Sequence, residues 1–249
     1  MESLYRREFP RSSAYDPAWV LEAPMGPNSL WLAEWLTERL DLRPGMRVLD
    51  LGCGRAKSSI FLAKEFGVQV WATDLWVPAS ENQNAITSAG LDGSVFAIHA
   101  EAHDLPFEEG FFDVALGFDS YHYFGTDDMY LGYISSFVKP AGTLAFVSPG
   151  LERELDAEIP ERLRPYWSWE FWAFHSPDWW RSHWAKTGLV DVEAAEMMPN
   201  GPRHWLDWLE ICMAKEGGED GHPAKSDADM LRADEGQLLG FVRVVAQGR

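Results

Sequence analysis

The chain has 249 residues, 46% of them apolar and 14% aromatic, which is enough to build a substantial core and excludes global disorder. Its 39 acidic residues outnumber 21 basic ones, a formal net charge of −18 that argues against nucleic acid and against anionic membrane surfaces as partners. No apolar run reaches the length of a membrane span, and Cys53 and Cys212 frame neither a disulfide set nor a metal site, so the expectation is a cytoplasmic protein acting on a small molecule.

In chain order, Asn28 is placed to cap a helix running to Leu40, with Trp31 and Trp35 one turn apart on its core face. The preceding stretch, residues 24–27 (PMGP), can close over a ligand. Residues 47–51 (RVLDL) read as a first strand, and residues 56–66 as a helix stopped by Gly67. Residues 68–73 (VQVWAT) repeat the strand pattern, Ser80 can cap a helix ending at Gly90, and residues 95–100 (VFAIHA) form a third strand. A fourth strand follows at residues 112–118, then a helix capped by Thr126 with Asp127 and Asp128 in its first turn, then a fifth strand at residues 143–148. This alternation predicts an open, mainly parallel sheet covered on both faces.

Beyond Pro149 the chain is crowded with Trp, Tyr and Phe, and residues 151–188 read as an aromatic-rich helical cap. Ser176, Pro177 and Asp178 start a helix that Gly188 stops. Helical spacing assigns Trp180 with Trp184, and Trp205 with Leu209, to core packing. Tyr166, Trp169 and Trp172 follow no clean period and are candidates to line an acceptor pocket, whose occupant can be flat, apolar or cationic. Residues 190–194 and 238–245 read as the last two strands, and residues 215–236, rich in Gly, Asp and Glu, as a mobile loop. The whole chain, 1–249, is one domain: a cofactor-binding core over 28–148, with 1–27 and 151–188 as substrate-capping elements.

In such a sheet the ligand sits outside the carboxyl ends of the strands. Gly52-Cys53-Gly54 follows the first strand and lets a backbone approach a ligand, but Ala56 stands where a dinucleotide loop has its third glycine. Asp74, some twenty residues on, is placed to take ribose hydroxyls. Asp50 precedes the loop, and Glu101-Ala102, LPF (105–107), FFDVAL (111–116) and VKPAGTL (138–144) follow it.

Together these motifs, spanning residues 47–148, resemble the class I S-adenosylmethionine-dependent methyltransferases, in particular the group that includes ubiquinone and menaquinone methylating enzymes. The resemblance implies a Rossmann-like, doubly wound α/β fold with a seven-stranded sheet, and S-adenosylmethionine as cofactor. It implies that Asp50 with Gly52, Cys53 and Gly54 holds the methionine end, Asp74 the ribose, Leu75, Glu101 and Ala102 the adenine, and that Gly117 and Phe118 lie near the ammonium. Cys53, between two glycines, is expected to be chosen for its size. Asp119, His122 and Tyr123 follow the fourth strand and face the expected methyl position, with His122 a candidate base, Asp119 its orienter and Tyr123 a substrate contact; His175 is a further candidate in the cap. His99 and His103 have no third ligand, so no metal is expected. A nicotinamide oxidoreductase, a non-catalytic cofactor binder and a peptide methyltransferase are the competing readings.

Overall fold

The computed structural model describes residues 4–156 and 158–249. Seven strands form one sheet in the order β3-β2-β1-β4-β5-β7-β6: β1 (Arg47–Leu51), β2 (Gln69–Asp74), β3 (Val95–His99), β4 (Phe112–Phe118), β5 (Val138–Leu151), β6 (Val190–Met197) and β7 (Leu239–Gly248). β1 to β5 pair in parallel and β7 runs antiparallel between β5 and β6. Strand order reverses between β1 and β4, so the loops after these strands diverge and leave a crevice at their carboxyl ends.

Side-chain alternation divides the core. Val48, Val114, Leu116 and Val147 pack on one face with α2 (Ser29–Thr37), α3 (Lys57–Phe66) and α7 (Gly201–Lys215). Leu49, Ala115, Leu144 and Phe146 pack on the other with α5 (Tyr130–Ser136) and α6 (Pro177–Ala185). α4 (Ala79–Ser88) packs on β3, and α8 (Lys225–Asp234) on α7. A short α1 (Pro17–Val20) precedes α2. Asn28 caps α2 as expected, its Oδ1 accepting from Leu30 N and Trp31 N at 3.0 and 3.2 Å, and Gly67 ends α3 in the left-handed region at φ +66°. Among the described residues no helix is long and apolar enough to cross a membrane.

Three expected elements differ. Residues 121–123 form a 3-10 turn after β4, which pushes the next helix start back: Tyr130, not the turn after Thr126, begins α5, and Thr126 caps nothing. Ser80 lies inside α4, which Pro78 precedes. The segment 215–236 is not a loop throughout, because α8 occupies its second half. Ala228, Met230 and Leu231 are buried against α7, and the fully buried Asp234 carboxylate accepts from Leu238 N and Leu239 N at 2.9 Å, fixing the turn into β7. The family-like FD and KP residues are scaffolding: Asp113 accepts from Arg47 N at 2.8 Å and pairs with Lys139, tying β1, β4 and β5 together.

Glu235 closes α8 with φ +53°, a conformation that costs a side-chain-bearing residue about 1 kcal/mol, and it is exposed. Glu235→Gly is therefore expected to stabilise the protein by about 0.5–1 kcal/mol in urea denaturation.

Candidate active site

Loops after β1, β2 and β4 are bound to one another through their backbones. Gly52 N and Cys53 N both donate to Thr73 O at 2.9 Å. Asp74 continues the tie: its Oδ2 accepts from Gly54 N at 2.7 Å, and its Oδ1 from Trp76 N and Val77 N at 2.8 Å. Asn82 on α4 donates to Gly54 O at 2.9 Å, and Ser120 Oγ donates to Leu51 O at 2.6 Å from below. Gly52 sits at φ +72°, and a Cβ there would lie 2.5 Å from Ser120 Cβ, so only glycine allows this approach.

These loops wall a cavity of about 580 Å³, within the range of small-molecule sites. Ala23, Met25, Gly26 and Pro27 close it from above, as the PMGP stretch suggested. Lys57 holds this lid by donating to Val20 O and Glu22 O, Lys215 by donating to Leu21 O at 2.6 Å, and Trp208 Nε1 by donating to Gly26 O at 2.9 Å. Burial lowers the Lys57 ammonium to about 8.

Gly52, Cys53, Gly54, Asp74, Leu75, Glu101, Ala102, Phe118, Asp119 and Tyr123 all line the cavity. Glu101 is engaged locally, its two oxygens meeting His103 N and His103 Nδ1 at 2.9 Å, and this contact holds its carboxyl below the usual range. The Cys53 thiol is buried and pushed well up by that burial, which suits a residue selected for size.

Other candidates lie elsewhere. Asp50 is fully buried beneath the loop, its Oδ2 accepting from Ser58 Oγ at 2.7 Å and Ser59 Oγ at 2.6 Å; it anchors α3 rather than lining the cavity. Its position is readable in retrospect from strand alternation, since Leu49 and Leu51 point to the opposite face. Gly117 is covered by Ser120 Oγ and Tyr121. His122 is not on the cavity wall: it is buried against Tyr123 and Phe174, and burial holds its ring neutral down to about 3. His175 is also remote, stacked at 3.6 Å on Trp179 and bonded through Nδ1 to Glu154 at 3.0 Å, whose other oxygen accepts from Ser176 N at 2.6 Å. Tyr166 packs against the core, and Trp169 and Trp172 are exposed outside the cavity lining. Trp76, Ser120 and Phe124 line the cavity without having been singled out, and so does His103, which was weighed only as a metal ligand; Trp76 carried a signal, as an apolar residue two positions past the β2 carboxylate.

The lining has the electrostatics for a cationic adenosine ligand. Asp74, Glu101 and Asp119 face it, Arg55 is paired with Glu81 at 3.1 Å, and Lys57 is committed to lid carbonyls, so among the described residues no unpaired Lys or Arg is on the wall to seat a pyrophosphate. No group of described residues is arranged to hold a metal.

A methyltransferase-domain family profile matches residues 48–142, and the fold is similar to that of solved methyltransferases. Residues 48–142 are a methyltransferase domain, and the relatives support the class I S-adenosylmethionine-dependent reading of the motifs. Curated relatives of this methyltransferase include glycine/sarcosine/dimethylglycine N-methyltransferase of Actinopolyspora halophila, 26% identical over 72% of this chain and 31% of the relative. They also include 27-O-demethylrifamycin SV methyltransferase of Amycolatopsis mediterranei, 29% identical over 75% and 68%, and demethylmenaquinone methyltransferase of Corynebacterium efficiens, 32% identical over 48% of each. The chain spans less than half the length of several curated relatives it matches. Similar solved folds include the geranyl diphosphate C-methyltransferase of Streptomyces coelicolor, TM-score 0.66 and 17% identity over 87% of this chain and 77% of that one. Another is the [4+2]-cyclase SpnF, TM-score 0.68 and 21% identity over 87% and 79%. S-adenosyl-L-homocysteine, the demethylated form of S-adenosylmethionine, is bound in the first of these structures.

Asp50 gives a stability prediction. Burial pushes its carboxyl up to about 6, so between pH 4 and pH 6 the folded chain holds a proton that the unfolded chain has lost, and stability falls as pH rises through that window. Asp50→Asn keeps an oxygen for both serines and removes the titration. The drop in unfolding free energy between pH 4.5 and pH 8 is expected to shrink by about 2 kcal/mol, measured by urea denaturation at both values.

Proposed function

We propose that the chain transfers the methyl group of S-adenosylmethionine to a small-molecule acceptor, in a cytoplasmic setting that keeps the two buried thiols reduced. The observation that carries this reading is the single lidded cavity that gathers the glycine loop, Asp74, Glu101-Ala102 and Asp119. Asp74 has oxygen lone pairs beyond the three amides it accepts, and these are available to ribose hydroxyls. Leu75, Glu101 and Ala102 flank the adenine, the Gly52 to Gly54 backbone approaches the methionine end, and Phe118 and Asp119 bound the space beyond it. The cofactor supplies a methyl group already activated on a sulfonium. The chain's own contribution is then to orient the acceptor and exclude water under the 23–27 lid, with proximity the main catalytic term.

Asp74 is the test. Removing its carboxylate leaves the amides of Gly54, Trp76 and Val77 without their acceptor, at about 1.5–3 kcal/mol for each charged hydrogen bond. Asp74→Ala is expected to weaken binding of S-adenosylhomocysteine by about 100-fold or more in titration calorimetry, and Asp74→Asn by about 10-fold. Absence of S-adenosylhomocysteine binding to the unaltered protein overturns the reading. Tight binding with no methyl transfer to any acceptor identifies a non-catalytic binder instead.

A further inference from the structure

We propose that the acceptor is an amine, received as a cation between the Asp119 carboxylate and the rings of Trp76 and Tyr123; this rests on the methyltransferase reading above. Asp119 ends β4, its N–H donating to Val147 O at 2.8 Å, and is held at φ +55°, in the left-handed region. Its side chain lines the cavity, yet among the described residues it makes no ion pair and no side-chain hydrogen bond. The lid leaves room for that carboxylate only because residue 26 is glycine: a Cβ there would lie 2.2 Å from Asp119 Oδ2. A carboxylate kept on a cavity wall with no partner of its own is a receptor for a cation supplied from outside.

Three further features have the same sign. Trp76 and Tyr123 are 70% and 52% exposed, and their rings meet edge to face at 5.9 Å beside Asp119, presenting π-faces of the kind that attract ammonium groups. Asp227 of α8 adds its charge to both Asp119 and Tyr123, and Glu170, in the 3-10 turn Trp169–Ala173, adds its own to Tyr123. The nearby cations are already occupied, Arg55 by Glu81, Lys57 by lid carbonyls and His103 by Glu101. An anionic acceptor would meet this wall unpaired, whereas a protonated amine offsets it. Such an acceptor must lose one N–H proton before its nitrogen lone pair can take a methyl group. Asp119, pushed up to about 8 by burial and by Asp227, can take that proton once it is ionised, above about pH 8.

The test uses protein saturated with S-adenosylhomocysteine and two probes of the same shape: choline, a quaternary ammonium, and 3,3-dimethylbutan-1-ol, its uncharged carbon analogue. In titration calorimetry choline is expected to bind at least 10-fold more tightly than the alcohol, and Asp119→Asn, which asparagine's tolerance of the left-handed region allows to fold, to abolish that preference. Trp76→Ala should weaken choline several-fold. Choline affinity should rise about 10-fold or more from pH 6 to pH 8.5 as Asp119 loses its proton, with Asp227 and Tyr123 the titratable groups facing it. Equal affinity for the two probes overturns the proposal while leaving the methyltransferase reading intact. So does an Asp119→Asn variant that keeps its choline preference or loses S-adenosylhomocysteine affinity instead, which would assign Asp119 to the cofactor. Failure of S-adenosylhomocysteine to bind at all overturns the underlying reading itself.

Discussion

The site depends on a tie between two loops that each lack regular hydrogen-bonding partners. Thr73 O accepts from Gly52 N and Cys53 N, and the adjacent Asp74 carboxylate accepts from Gly54 N, Trp76 N and Val77 N. A buried backbone amide without a partner is costly, so one strand end satisfies the turn after β1 and the turn after β2 together. Neither loop can move without stranding amides in the other. A ligand entering the cavity therefore meets a cradle that is already ordered, and binding free energy is not spent on ordering it.

Strand ends and glycine stops were legible because they follow from local rules. RVLDL before the glycines and Gly67 after α3 are dictated by alternation and by the left-handed conformation that glycine tolerates. Elements whose limits are set by tertiary contacts were not legible. Composition hid α8 because its polar residues outnumber its apolar ones, although Ala228 and Leu231 lie three apart on the face that meets α7. Thr126 is a good cap with no helix to cap, because the 3-10 turn at 121–123 comes first and α5 begins only at Tyr130. Within the site, residue types in the glycine loop and after β2 and β3 picked out residues that line the cavity. Proximity in sequence could not distinguish a side chain on that wall from one beneath it, and Asp50 and His122 both fell on the wrong side of the distinction.

Aromatic density misled for a related reason. Helices α5 and α6 have to cover one face of β4, β5 and β7, and large rings fill that span. Tyr121 stacks on Phe146 at 4.5 Å, and Trp180 meets Phe146 edge to face at 4.7 Å, both tryptophans of the pair 180 and 184 being buried. Trp180 and Trp184 thus roof the sheet as their spacing predicted, Tyr166 packs against the core, Trp169 and Trp172 are exposed, and the cavity is walled by the loops after β2 and β4 together with the lid.

Charge explains why the glycine pattern departs from that of a dinucleotide loop. Ala56 sits at φ +56° with its methyl fully buried and its N–H donating to Cys53 O at 3.0 Å, so this amide is consumed within the turn. A phosphate-cradling loop needs such amides free and aimed at the ligand. Beneath and around the turn, Asp50 and Asp74 gather negative charge, and Asp74 contributes to holding the Asp50 carboxyl high. A pyrophosphate would add to that repulsion, whereas a sulfonium with a neighbouring ammonium relieves it. The missing third glycine and the concentration of carboxylates are therefore two expressions of one selection, for an adenosine cofactor whose reactive end is positive.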